Sequence, residues 1–179
     1  MANHPGALIG LISKELVALA ERYEHLQVYY DHIGEGRQRL WSFYGDKPHR
    51  WNLLSAVDIL VGDSRKPKPK AALIIEIEEA GATPKKLLGD IFATALGDAI
   101  PTRDGERYAI TPDTGLWVCF PANPEGHQRE RDERLAKRIG SLAYGAHLPH
   151  VEFVVAERRE ELVQSVCDKL RGWFAGQQT

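Results

Sequence analysis

Residues 71–79, AALIIEIEE, are apolar almost without interruption yet end in carboxylates, and that combination restricts the folds open to this chain. A strand-length apolar run of this kind is suited to burial on both faces of a sheet. Glu76 and Glu78 stand two residues apart, so in a strand both side chains leave from one face. Burying both there without a cation is costly.

The preceding apolar run, AVDILV at residues 56–61, contains Asp58, and GDSRKPKPK at residues 62–70 is too polar and proline-rich to be strand. The two runs therefore read as an antiparallel hairpin with a long loop. Symmetry about Pro67 sets Asp58 opposite Glu76, on a shared face with Cβ atoms about 5 Å apart. A slip of one residue turns Asp58 to the other face instead. In the symmetric register three carboxylates converge, and two like charges at about 5 Å repel by roughly 3 kcal/mol at an effective dielectric of about 20. The fold can meet this by protonating one acid, by a Lys or Arg partner, or by binding a hard divalent metal.

The chain of 179 residues, 43% hydrophobic and 27% charged, reads as one domain with a sizeable core and no expected disorder. A formal net charge of −2 argues against a protein that coats nucleic acid indiscriminately and leaves room for local basic patches. The two cysteines, Cys119 and Cys167, have no close pairing motif, so neither a disulfide framework nor a thiolate zinc site is expected, and the compartment expected is the cytoplasm. Lys14 and Glu15 interrupt the first apolar stretch, so no signal peptide is read there, and no run approaches the length of a membrane span.

In order along the chain, Leu8, Ile12, Leu16, Leu19, Tyr23, Leu26, Tyr30 and Ile33 recur at helical spacing, with Gly34 as a stop, and predict one long first helix. The run Val28-Tyr29-Tyr30 could instead open a strand. Glu15 lies about 60° from the centre of the apolar stripe and could lean inward, a solvated rim position being the competing reading. Strands are predicted over residues 39–44 and 51–61, which with the strand at 71–79 make a meander. Thr83 as N-cap and Pro84 at the first helical position open a helix burying Leu87, Leu88, Ile91, Ala95 and Leu96. A strand at 115–121, a polar arginine-rich helix at about 128–142, a strand at 151–156 and a helix at 160–174 complete the chain. The four tryptophans fall mostly on predicted strands or an apolar helix face, and core packing explains them more readily than base stacking.

This order, with Asp58 on the second strand and Glu76-Ile77-Glu78 on the third, resembles the PD-(D/E)XK nuclease superfamily. The resemblance covers about residues 7–120, the nuclease-like core of a single domain at 1–179, and leaves 121–179 as a helix–strand–helix extension. Val57 replaces the proline of the motif and Glu78 its lysine, an E-x-E form that some type II restriction endonucleases share. The resemblance implies a mixed α/β fold: a central mixed sheet of about five strands, flanked by helices, in an αβββαβ restriction endonuclease-like core. It also implies a metal-dependent endonuclease acting on DNA, working as a homodimer. Asp58, Glu76 and the Ile77 carbonyl would hold Mg²⁺ or Mn²⁺. Glu78 would orient or deprotonate the attacking water or hold a second ion. Glu15 is a weaker candidate ligand.

The residues suit that chemistry on their own terms. Carboxylate-held Mg²⁺ acidifies water and polarises a phosphoryl oxygen, and it takes one or two carboxylates while keeping several waters. Thr83, Lys85 and Lys86 at a helix start would bring N–H groups and ammonium groups to a phosphate, and Lys85 or Lys86 could replace the missing strand lysine. Arg65, Lys66, Lys68 and Lys70 in the hairpin loop are the better candidates for DNA phosphates. The helix bearing Arg129, Arg131, Arg134, Lys137 and Arg138 also carries Glu130, Asp132 and Glu133, which reads more simply as a salt-bridged solvated face. His147 and His150 lack a partner at metal spacing and read as turn residues. The alternative from another class is a catalytically silent module of the same fold that binds nucleic acid or a protein.

Overall fold

The hairpin inferred from residues 56–79 forms the middle of the sheet. The structure, a computed structural model, describes residues 7–31, 39–65, 67–78, 83–121, 134–135, 137–138 and 150–176. In chain order the elements are α1 (Ala7–Ala20), β1 (Leu26–Tyr30), β2 (Leu40–Phe43), β3 (Leu53–Val57), β4 (Ile59–Asp63), β5 (Lys70–Ile77), α2 (Pro84–Ala95), β6 (Ala99–Pro101), β7 (Arg107–Ala109), β8 (Gly115–Pro121), β9 (His150–Ala156) and α3 (Arg159–Ala175). The fold is mixed α/β, with one mixed sheet flanked by these three helices.

Five strands lie side by side in the order β1, β4, β5, β8, β9. β4 is antiparallel to β1 and β5, whereas β5, β8 and β9 are parallel. Parallel neighbours need a crossover, and α2 lies within the connection between β5 and β8. A second wing branches from β5, which meets β7 at Lys70 and continues through β6 and β2 to β3 at the edge.

The predicted burial on both faces is what β5 shows. Leu73, Ile75 and Ile77 join Ile59, Val61, Trp117 and Cys119 beneath α1 and α3, and Ile74 packs with Leu60, Leu116 and Val118 beneath Leu87 and Ile91 of α2. The C-terminal segment is integral to these layers, since β9 pairs with β8 along seven residues and α3 packs on α1.

Three expectations change. The first helix ends at Ala20, and residues 26–30 form β1. Leu26 and Tyr30 fit the helical spacing, but with Val28 they also fit period 2, and pairing with β4 selects the strand for this β-branched and aromatic run. Gly34, the expected stop, lies outside the described residues. The strand expected over 51–61 is interrupted at Asp58, because its first half pairs with β2 and its second with β1 and β5. The meander is therefore two hairpins joined at that residue. β6 and β7 were not expected; each has three residues, too few to display a period.

Elsewhere the expected elements form, except that α2 ends at Ala95 and Leu96, expected on its buried side, caps the helix and is 61% exposed. Thr83 caps α2, its side chain accepting from the Lys86 N–H at 3.3 Å, with Pro84 at the helix start. Of the helix expected at 128–142, the described residues Arg134, Leu135, Lys137 and Arg138 are helical and the rest lie outside the described residues. Among the described residues no helix is long and apolar enough to cross a membrane.

Candidate functional site

The β4–β5 register pairs Ile59 with Ile75, Leu60 with Ile74 and Val61 with Leu73, the alignment centred on Pro67. Continued by one residue, it brings Asp58 to Glu76. The carboxylate of Asp58 turns to β5, where Oδ2 accepts the Ile77 N–H at 2.6 Å. Asp58, Glu76 and Glu78 line one cavity of about 180 Å³ together with Ile77, Lys86 and Asp90. The sheet supplies the first three acids and α2 closes the opposite side.

Burial and a lysine partner both act on the repulsion among these acids. Glu76 is buried, and burial followed by the nearby Asp58 charge pushes its carboxyl well above the ordinary range, against a hydrogen bond donated by Thr94 Oγ1 to Oε1 at 2.9 Å. Glu78, with 13% of its side chain exposed, is paired with the Lys86 ammonium. That hydrogen bond is the main reason the Lys86 pKa is raised. Asp90 is raised by burial, with Lys86 lowering it and Glu78 raising it.

Asp90 was not anticipated as part of the site. Its signal is a four-residue spacing: Lys86, Asp90 and Thr94 fall on one side of α2, next to the apolar positions Leu87 and Ile91. Thr94 is fully buried on that stripe, where its hydroxyl reaches Glu76. A buried polar stripe beside an apolar one marks a helix that faces polar groups on its sheet.

The other candidates lie apart from the cluster. Glu15 is on α1, which covers the opposite face of the sheet, and its Oε1 is held by Arg171 at 2.7 Å; the inward lean toward a metal is not what the fold provides. The basic loop lies at the far end of the hairpin, so the loop that tips it does not overhang the acids. Asp63 is five residues from Asp58, about 17 Å along an extended strand. There Arg65 binds the carboxylate of Asp63, with Nε at 3.0 and 2.9 Å and a terminal nitrogen at 2.6 Å. Lys68 is exposed, Lys70 Nζ lies 4.0 Å from Asp113, and Lys66 lies outside the described residues. Lys85 is exposed and not on the cavity wall, whereas Lys86 is. Arg134, Lys137 and Arg138 are exposed, and Arg129 and Arg131 lie outside the described residues. His150 opens β9 with Nε2 3.4 Å from Glu152, and His147 lies outside the described residues.

The donor set suits a hard cation. Four carboxylates and one ammonium face the cavity, all the acidic donors are oxygens, and such ligands select Mg²⁺ or Mn²⁺ over soft metals. With the side chains as placed, no group of three His, Cys, Asp or Glu among the described residues is close enough to hold an ion. Their oxygens are turned to Thr94, to the Ile77 N–H and to Lys86. Compared with protein families, with curated proteins and with solved structures, the chain matches none.

Proposed function

We propose that this chain is a Mg²⁺-dependent phosphodiesterase that cuts DNA, an endonuclease of the restriction type. The observation that carries this is the cavity between the β4–β5 hairpin and α2, where Asp58, Glu76, Glu78 and Asp90 surround Lys86. Along the five-stranded part of the sheet the chain runs α1, β1, β4, β5, α2, β8, which supports an αβββαβ core of the restriction endonuclease kind.

Asp58 and Glu76 are the residues to hold the metal, with the Ile77 backbone beside them and Mn²⁺ as a substitute ion. When bound, the ion supplies an acidified water and neutralises charge on the phosphoryl oxygens. Glu78 lies at the strand end to orient that water or take its proton. Lys86, not Lys85, stands where a cation meets developing negative charge, four residues before Asp90 on the same side of α2. DNA is the proposed partner, bound by a symmetric dimer.

Incubation with supercoiled plasmid and linear DNA, each with Mg²⁺, Mn²⁺ or chelator, tests this. Divalent-dependent nicking or linearisation of the plasmid is expected. A protein that neither cleaves DNA nor gains stability from divalent ions is instead the silent module.

A further inference from the structure

The β2–β3 hairpin closes with YGDKPHRWN, residues 44–52, and this loop is braced from several sides. Asn52 Nδ2 donates to the carbonyls of Tyr44 at 2.6 Å and Lys47 at 2.9 Å, and its Oδ1 accepts the His49 N–H at 2.7 Å. Gly45 takes φ 90°, a conformation glycine enters without strain, and its N–H donates to Asp98 Oδ2 at 2.6 Å. Arg107 donates to the Gly45 carbonyl at 3.0 Å and the Asp46 carbonyl at 2.5 Å, with its guanidinium 4.7 Å above the Phe43 ring.

On this fixed loop Trp51 is 76% exposed, contrary to the core role expected for the tryptophans. His49 stacks on one side of the indole, with centroids 4.5 Å apart and planes 6° from parallel. Lys47 and Arg50 are exposed beside it, and with Arg107 beneath the loop they outnumber its two acids, Asp46 and Asp98. A rigid ring with an open face next to two cations matches a nucleotide, whose base offers a flat π-face and whose phosphate carries the negative charge.

The loop is also tied to the acid cavity. Ser55 and Ala56 of β3 form part of the cavity wall. Trp51 is four residues from Ser55, at most about 14 Å of chain.

We propose that Trp51 stacks on an unpaired DNA base a few nucleotides from the bond to be cut, with Lys47 and Arg50 on the adjoining phosphates. In a duplex the base faces are covered by their neighbours, so this site selects single strands, ends or extruded bases over intact helix. The inference rests on DNA being the substrate, and it adds that one base of the duplex to be cut is taken out of its stack at this loop, which costs least where the strand is already unpaired.

The test is a fluorescence titration of the chelator-treated protein with short mixed-sequence oligonucleotides, single-stranded and duplex. The indole emission is expected to be quenched, with tighter binding of the single strand. Trp51→Ala is expected to lose the quenching and to weaken single-strand binding by roughly 5- to 150-fold, the range for one base–aromatic stack. Trp51→Phe is expected to keep most of the affinity, and Arg50→Ala to lower the slope of log K against log salt by about 0.7, as for one phosphate contact on a single strand. Trp51→Ala binding as tightly as the parent overturns the proposal, as does equal affinity for duplex and single strand. Dimerisation lost in Trp51→Ala with DNA affinity unchanged assigns the ring to a second copy and likewise overturns it. The two proposals fail separately: plasmid cleavage with no role for Trp51 removes this one alone, while binding through Trp51 without cleavage removes the nuclease.

Discussion

Asp63 and Glu76 are buried carboxylates toward opposite ends of one hairpin, and the fold treats them in opposite ways. Asp63 is penalised by burial, but the Arg65 hydrogen bonds outweigh that and hold its carboxyl below the ordinary range. Glu76 is penalised by burial and again by Asp58, and only the Thr94 hydroxyl and a backbone hydrogen bond at Asp58 act the other way, so its carboxyl is held far above. Burial is common to both, so burial alone does not mark a functional acid. The difference is the counter-charge: one end carries its own guanidinium, and at the other the charges acting on the carboxylate, Asp58 and Asp90, share its sign.

If that contrast is one of function, Glu76→Ala should lower Mg²⁺-dependent plasmid cleavage by more than about 10²-fold, since even outer-shell partners of a metal cost 10–100-fold. The protein should still fold by circular dichroism, and full activity in this variant would end the mechanism. Next in size, Lys86→Ala should reduce cleavage by at least about 10-fold, with Lys85→Ala close to the parent, because only the first side chain faces the acids. Equal losses in the two would move the cation's role to the helix surface.

Stability against pH separates the two ends directly. A raised carboxyl favours the protonated folded state, so its contribution is fully present below the ordinary glutamate value and is lost as pH rises through the raised one. Chelated protein should therefore melt lower as pH climbs through that window. Glu76→Gln should flatten the slope and gain a few degrees at neutral pH, at about 2–4 °C per kcal/mol for a chain of this size. Mg²⁺ should raise the melting temperature of the parent in a concentration-dependent way and leave Glu76→Gln nearly unmoved. The sign reverses for Asp63, whose contribution is present above its ordinary value and lost only as pH falls through the lowered one. The smallest effect is Asp63→Ala, expected to cost about 1 kcal/mol by urea unfolding once the solvent around Arg65 is discounted, with cleavage unchanged.

The hairpin and its register over residues 59–61 could be read from the sequence because two apolar runs flank a proline-rich loop; the one-residue shift between Val61 and Gly62, toward the loop, could not. The Thr83-Pro84 helix start was equally legible, since cap chemistry is local. Residues 26–30 were ambiguous because Leu26 and Tyr30 fit both periods while Val28 fits only the strand, and pairing with a distant strand decides. The break at Asp58 was invisible for a related reason: the run from Leu53 to Val61 has one uniform character, and its change of partner is a tertiary event. Asp90 was passed over as a polar residue between apolar ones, although its spacing from Lys86 and Thr94 placed it on the sheet side. Trp51 was assigned to the core because it opens the strand expected over 51–61, and its neighbours Lys47 and Arg50 were the contrary sign.

The interruption at Asp58 makes that residue a junction between two ladders, anchored by its own carbonyl to Asp31 and by its carboxylate to Ile77. A residue added between Val57 and Ile59 must be taken up at the junction itself, swinging the acid away from its neighbours while both ladders stay intact. Such a variant would keep its two ladders, would melt with a weaker dependence on pH because Asp58 no longer stands beside Glu76, and would lose its chemistry, which makes this narrow joint the place where the protein is most fragile in purpose and least fragile in form.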